Sequence, residues 1–419
     1  MIIQSAAGLL VFILAAFALS ENPRKVKVKI IITGVLMQIV ISLVLLKLPV
    51  CRQIFVYLNH GVLALESATR AGTSLVFGYI GGGSPPFDIQ NPDAGFILAF
   101  QALPLILVLS ALSSLLFYWK ILPKTVRFFS KILEKNFTLS GAEGLGVSAN
   151  IFLGMVESPL FIRPYLAAIS RSGLFTIMTS GMATIAGTVM VLYASILGRA
   201  IPDVMAHIIV ASVISAPAAI VISKIMIPET RQFSEESQEI VPVMHQEKTS
   251  SAMDAVTKGT LQGVELLINI TAMLIVLVAL VHLVDIFMGV LPDVQNAPLT
   301  LQRILGWIMA PVVWLMGVPW QEAAAAGKLM GTKTILNEFI AYMDLAALPA
   351  DQLSEKSRLI MTYALCGFAN PGSLGIMIGG MGTMAPERRS EIVSLGFRAI
   401  IGGTLATCMT GAMVGAVIR

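Results

Sequence analysis

Two carboxylates stand where the surrounding sequence is almost wholly apolar. Glu157 lies in NIFLGMVESPLFIRPY (150–165), a run that also holds Gly154, Pro159 and Pro164, and Glu338 follows Asn337 in GTKTILNEFIAY (331–342). The chain is 56% hydrophobic and only 12% charged, against about 25% charged for soluble domains, so its solvent is the bilayer. An ionised side chain at the bilayer centre costs at least about 2.5 kcal/mol on insertion scales, and such groups mark substrate or ion paths. Both glutamates should therefore face a cavity. The blander reading is that each caps a turn or pairs with Lys328, Lys333 or Arg163, and that Asn150, seven residues before Glu157, only forms a turn. Catalysis has no comparable support. His60, His207, His245 and His282 lie away from these runs, no Ser/His/Asp or paired-Asp set falls on them, and Cys51, Cys366 and Cys408 lack metal-ligand spacing.

The elements that must position these residues are membrane helices. Ile3 to Leu19, Val35 to Val50 with its flanks, Phe96 to Trp119, Val204 to Ile227 and Leu266 to Val290 are long apolar stretches of the kind that span. The first lacks a basic leader and cleavage site, which predicts a retained helix. Lys and Arg gather after the first helix (Arg24, Lys25, Lys27, Lys29), after the third (Lys120, Lys124, Arg127, Lys131) and before the last (Arg388, Arg389). By the positive-inside rule these loops are cytoplasmic, both termini lie outside, and about eight helices span. The formal charge of +4 follows from this topology and gives no warrant for nucleic-acid binding. Lys124 to Lys135 suits a helix lying along the cytoplasmic interface. The polar stretch Pro228 to Asp254 predicts a cytoplasmic loop between two halves.

Two regions do not suit simple spans. Leu139 to Leu166 contains four glycines, two prolines and Glu157, and Ala310 to Asp344 contains two prolines, four successive alanines and three glycines before and around Glu338. Both predict re-entrant hairpins, whose non-helical backbone at membrane depth needs protein or a water-filled cavity around it. Each is followed by an interrupted helix, SGMATIAGTVM (180–190) and CGFANPGSLGI (366–376), in which Thr184, Asn370 and Ser373 sit beside Gly or Pro. The expected fold is an all-α membrane protein with two re-entrant hairpins and two broken helices in an inverted repeat, the pattern of a secondary transporter with its site near the midplane. Expected boundaries are 1–138 (scaffold helices and interfacial helix), 139–227 (first transport half), 228–254 (loop), 255–309 (scaffold helix and connection) and 310–419 (second transport half).

With these runs in hand, joined by APERRSEIVSLGFRA (385–399), the chain resembles the concentrative nucleoside transporter family over most of its length from about Gly72 onward. The resemblance implies a bacterial, multi-pass inner-membrane homotrimer that carries nucleosides and is not an enzyme. It implies that Glu157 accepts from the nucleobase, that Glu338, Asn370 and Ser373 hold the ribose, and that Val189 and Phe368 pack on the substrate. It implies a coupling cation, sodium, held among the side chains of Asn150 and Thr184 and the backbone carbonyls of Leu153 and Ile185. It implies no other cofactor. Proton-coupled members exist in the family, and a nucleoside-binding channel or receptor is the alternative outside symport. Where many members carry Gln-Thr before the first glutamate, this chain has Met155 and Val156, so recognition of the base is expected to be less dependent on polar readout.

Overall fold

A computed structural model describes residues 2–88, 95–198, 200–230, 249–294 and 297–418. Most of the expected polar loop, with His245, lies outside the described residues. The chain opens with α1 (Ile2–Ala18), α2 (Val28–Lys47) and α3 (Pro49–Phe77), followed by the short α4 (Leu98–Gln101), α5 (Leu105–Tyr118) and α6 (Ile121–Phe137). Next come α7 (Gly141–Asn150), α8 (Glu157–Leu160), α9 (Arg171–Ala183), α10 (Gly187–Leu197) and α11 (Val204–Met226). The second half holds α12 (Ala252–Met288), α13 (Leu301–Leu315), α14 (Ala323–Ile335), α15 (Glu338–Ala347), α16 (Glu355–Leu365), α17 (Pro371–Met384) and α18 (Arg389–Val417). Among the described residues six helical stretches have the length and apolarity to cross a bilayer, and α1 and α13 are shorter apolar helices. The protein is a multi-pass membrane protein.

The same order of parts occurs twice. A helical arm, a tip and a second arm opening on a glutamate (α7–α8, α14–α15) precede a helix interrupted by a break (α9–α10, α16–α17) and then a long helix (α11, α18). The halves interlock, because α9 and α16 each pack against both α11 and α18. The expected boundary at 309/310 falls inside α13. That helix lies backbone to backbone on α14: a methyl at Gly327 would come 2.4 Å from the Gly306 carbonyl oxygen, the close approach that small residues allow between membrane helices. Along α12, by contrast, little of the apolar surface is buried, and Ile268, Ile275, Leu280 and Phe287 stand exposed.

Charged residues from the α1–α2 connection, the start of α9 and the start of α18 meet. Glu21, between α1 and α2, accepts from Arg171 at the start of α9 at 2.9 Å and from Arg398 of α18 at 2.7 Å. Arg388 bonds Glu391 and donates to the carbonyls of Leu166 and Ile169. Nearby, Glu143 of α7 and Lys224 of α11 form an ion pair at 2.7 Å with both side chains buried, and Lys224 also donates to Ser172 of α9.

The Arg171 hydrogen bond, aided by the charges of Arg171 and Arg398, holds the Glu21 carboxyl below its usual range. A carboxylate with a depressed folded-state pKa adds stability above its unfolded pKa, and that stability is lost as pH falls through the folded value. Glu21→Gln is therefore expected to melt below the parent at neutral pH, with the gap closing in acid and shrinking in high salt, since the pair is partly exposed. A gap of constant size from neutral pH down through the carboxylate range would refute this coupling.

Candidate functional site

The second arm-and-break pair builds a nearly closed polar cluster. Asn337 caps α15 by accepting from the Ile340 amide at 2.9 Å, which sets Glu338 as the first residue of that helix. An Asn in this role satisfies an amide that the first turn leaves open. Glu338 is 5% exposed. Its Oε1 accepts from the Tyr193 hydroxyl at 2.7 Å and its Oε2 from Asn370 Nδ2 at 3.0 Å. Asn370 is buried and caps α17 in the same manner, its Oδ1 accepting from the Ser373 amide at 2.8 Å. Ser373 is buried and Phe368 half-buried beside the same break. Among the described residues no ion pair joins either glutamate to Lys328, Lys333 or Arg163.

Glu157 has a different setting. It opens α8 and is exposed, yet its carboxylate folds back over the tip, so a methyl at Gly154 would come 2.1 Å from Glu157 Oε2. A side chain at 154 would displace that carboxylate from the tip. Met155 is buried, with its Cβ 2.9 Å from where a methyl on Gly181 would stand, and Val156 lies against Gly380 of α17. The two apolar residues before Glu157 thus pack the tip onto a broken helix of each half. Val189, on α10, is buried.

Asn150 ends α7, and its Nδ2 donates to the Ile177 carbonyl at 3.2 Å, while its Oδ1 is buried and accepts no hydrogen bond among the described residues. Thr184 closes α9, with its hydroxyl donating to the Ser180 carbonyl at 2.8 Å. The α7–α8 tip is pinned to the break, as the Gly187 amide donates to the Phe152 carbonyl at 2.9 Å. Among the described residues no backbone amide donates to the carbonyls of Leu153 or Ile185. Neutral, underused oxygens from an amide, a hydroxyl and an unwound backbone suit a monovalent cation.

The two breaks meet. A methyl at Gly367 would lie 2.8 Å from the Met182 carbonyl oxygen and 3.1 Å from the Ala183 carbonyl carbon, so the interruption after α16 crosses the end of α9 in backbone contact. Cys366, directly before Gly367, and Cys408, directly after the Thr407 whose Cγ2 would lie 2.8 Å from that methyl, are free and buried.

Tyr193, the actual partners of Lys333, and the Glu143–Lys224 pair escape the sequence reading. Tyr193 holds Glu338 and packs on Tyr342 with ring centroids 5.0 Å apart; it lies one helical turn beyond Val189, so a same-face search from that residue would have found it. Lys333 donates to Ala364 O at 2.8 Å and Thr407 Oγ1 at 3.0 Å. The Glu143–Lys224 pair had a signal too, as both are lone charges in apolar helices.

Residues 207–415 match the family profile described as Na+ dependent nucleoside transporter C-terminus, residues 7–80 its N-terminal counterpart, and residues 99–200 a profile described as nucleoside recognition. The chain is 33% identical to the nucleoside permease NupC of Helicobacter pylori, over 98% of this chain and 96% of that protein. It is 33% identical to human solute carrier family 28 member 3, over 98% of this chain and 59% of the longer human protein. The solved structure of CNTnw in an inward-facing substrate-bound state superposes with a TM-score of 0.89 at 30% identity, covering 99% of this chain and 98% of that one. These relatives are transporters and not enzymes. Full-length similarity of this kind places the chain in the concentrative nucleoside transporter family.

Proposed function

We propose that the protein is a sodium-coupled symporter that concentrates nucleosides in the cell by alternating access. The observation that carries the coupling is the buried, unaccepting Oδ1 of Asn150, next to a tip pinned to the break that holds Thr184 and Ile185, with the carbonyls of Leu153 and Ile185 accepting from no backbone amide among the described residues. A buried acceptor left unmatched is costly, and a sodium ion would match it. Glu157 takes the nucleobase end of the substrate, and Glu338, Asn370 and Ser373 take the ribose, with Val189 and Phe368 against its apolar faces. The gathering of Glu21, Arg171, Arg388 and Arg398 at one end supports a cytoplasmic face there and both termini outside. The exposed apolar side of α12 supports a homotrimer in the bilayer, and the bacterial inner membrane is its expected location.

In proteoliposomes an inward sodium gradient is expected to drive uptake above equilibrium. Asn150→Ala should raise the half-saturating sodium concentration about tenfold, the size of one lost bond to a charged group. Uptake that ignores sodium and follows an acid-outside gradient would move coupling to a carboxylate, with the exposed Glu157 as its candidate. Uptake that stops at equilibrium under either gradient would make the protein a channel or receptor.

A further inference from the structure

Lys333 is a charged side chain in the centre of the protein that the transport scheme above leaves without a task. It is 1% exposed. Its Nζ donates to the carbonyl of Ala364, in the last turn of α16, and to the hydroxyl of Thr407 on α18, and both acceptors are neutral oxygens. Directly beyond that turn the chain breaks at Cys366 to Asn370 before α17 begins.

The corresponding place in the first half is the candidate cation site. Glu157 and Glu338 each open a second arm, and Thr184 and Cys366 each close the first segment of a broken helix. In the first half the arm before the tip brings Asn150 to the C-terminal half of α9, with its Nδ2 on the Ile177 carbonyl and its Oδ1 3.5 Å from where a methyl on Gly181, in the last turn, would stand. In the second half the arm before the tip brings Lys333 to the carbonyl end of α16. The positions are not identical along the arms, Asn150 lying seven residues before its glutamate and Lys333 five. The electrostatic need is the same, because a helix ending inside a membrane protein turns unpaired carbonyls and partial negative charge toward its C-terminus. In one half the chain offers only oxygen, and the positive charge must come from solution. In the other it supplies the charge itself.

We propose that Lys333 is a tethered cation: its ammonium permanently fills the second half's counterpart of the sodium site, so that each protomer exchanges a single small cation. This rests on the cation-coupled reading for its meaning in transport, and its own test needs no gradient. Thr407 extends the role, since its hydroxyl accepts from Lys333 while donating to the Thr404 carbonyl. The fixed charge thereby joins α14, α16 and α18 at the level of the break.

The test uses nucleoside binding to the purified full-length transporter, with methylammonium as the probe and choline at equal ionic strength as the control. Lys333→Ala and Lys333→Met are both expected to bind nucleoside about tenfold more weakly or worse, having lost two charge-assisted hydrogen bonds. Lys333→Arg, which keeps a cation, should bind better than Lys333→Met, which keeps only bulk. Methylammonium should restore Lys333→Ala, where the stem is gone, and leave Lys333→Met unchanged. In the vacated space sodium itself can bind, so the Hill coefficient for sodium should rise from about 1 in the parent toward about 2 in Lys333→Ala, the number of sites being its upper bound. Lys333→Met binding and responding to sodium as the parent does would overturn the proposal. So would equal binding by the Arg and Met variants, or methylammonium doing no more than choline for Lys333→Ala. A parent transporter insensitive to sodium would overturn the coupling scheme instead, while the methylammonium comparison would still decide on Lys333.

Discussion

Glu338→Gln is expected to weaken binding of every ribonucleoside by about ten- to a hundredfold, because a bond to a charged group contributes about 1.5–3 kcal/mol. The substitution preserves shape but not bonding. In the parent the carboxylate accepts from Tyr193 and from Asn370, whereas a glutamine amide has only one accepting end and turns a donor toward one of these donors. At 5% exposure no bulk water relieves the clash. The loss should fall on all bases alike and reduce the penalty for a missing sugar hydroxyl, since the sugar contact itself is what is weakened. Tyr193→Phe should reproduce a smaller part of the effect, by freeing Oε1 without altering the charge. A competition panel of ribonucleosides, deoxyribonucleosides and free bases measures this. If the Glu338→Gln variant discriminates sugar hydroxyls as well as the parent does, the assignment of the ribose to Glu338 is wrong.

Gly367→Ala is expected to cost about 1–3 kcal/mol of stability, the range for forcing a methyl into a packed interior, and to remove most nucleoside binding with it. The obstacle is the main chain of the other half, whose Met182 carbonyl oxygen would lie 2.8 Å from the new methyl. Backbone at a helix end has no rotamer to yield. Separating the two breaks would displace the end of α9, and with it Thr184, from the α7–α8 tip that the Gly187 amide pins to Phe152. Gly375→Ala, on α17, provides the control, because a methyl there meets nothing within 4 Å. Thermal melting and nucleoside binding measured on both variants decide the matter; equal behaviour of the two would show that the crossing of the breaks is not tightly constrained.

The legible part of this architecture was what local composition controls. Glycine, proline and carboxylate inside apolar sequence are expensive, so their presence at 139–166, 180–190, 310–344 and 366–376 pointed to segments that are not simple spans, and the helices there are short or interrupted. The parts that escaped were pairings between distant segments. Glu338 depends on a hydroxyl 145 residues away in sequence, and nothing in the apolar stretch around Tyr193 signals which carboxylate it meets. Lys333 invited pairing with a nearby glutamate, but the fold turns it to a carbonyl and a hydroxyl, 31 and 74 residues further on. Met155 and Val156 show a third limit. As residue types they put apolar side chains where the proposed site would read the base, while their packing against Gly181 and Gly380 is a property of the assembled halves.

The Glu143–Lys224 pair ties the first arm to α11. Separating two charges that are fully dry costs several kcal/mol once either is left unpartnered, so α7 and α11 turn as one lever with Ser172 of α9 clamped to it. The six residues between α7 and α8, Ile151 to Val156, are held in turn by the Gly187 amide on Phe152 and by the packing of Met155 and Val156 against Gly181 and Gly380, so a shift of the tip would carry a broken helix of each half with it.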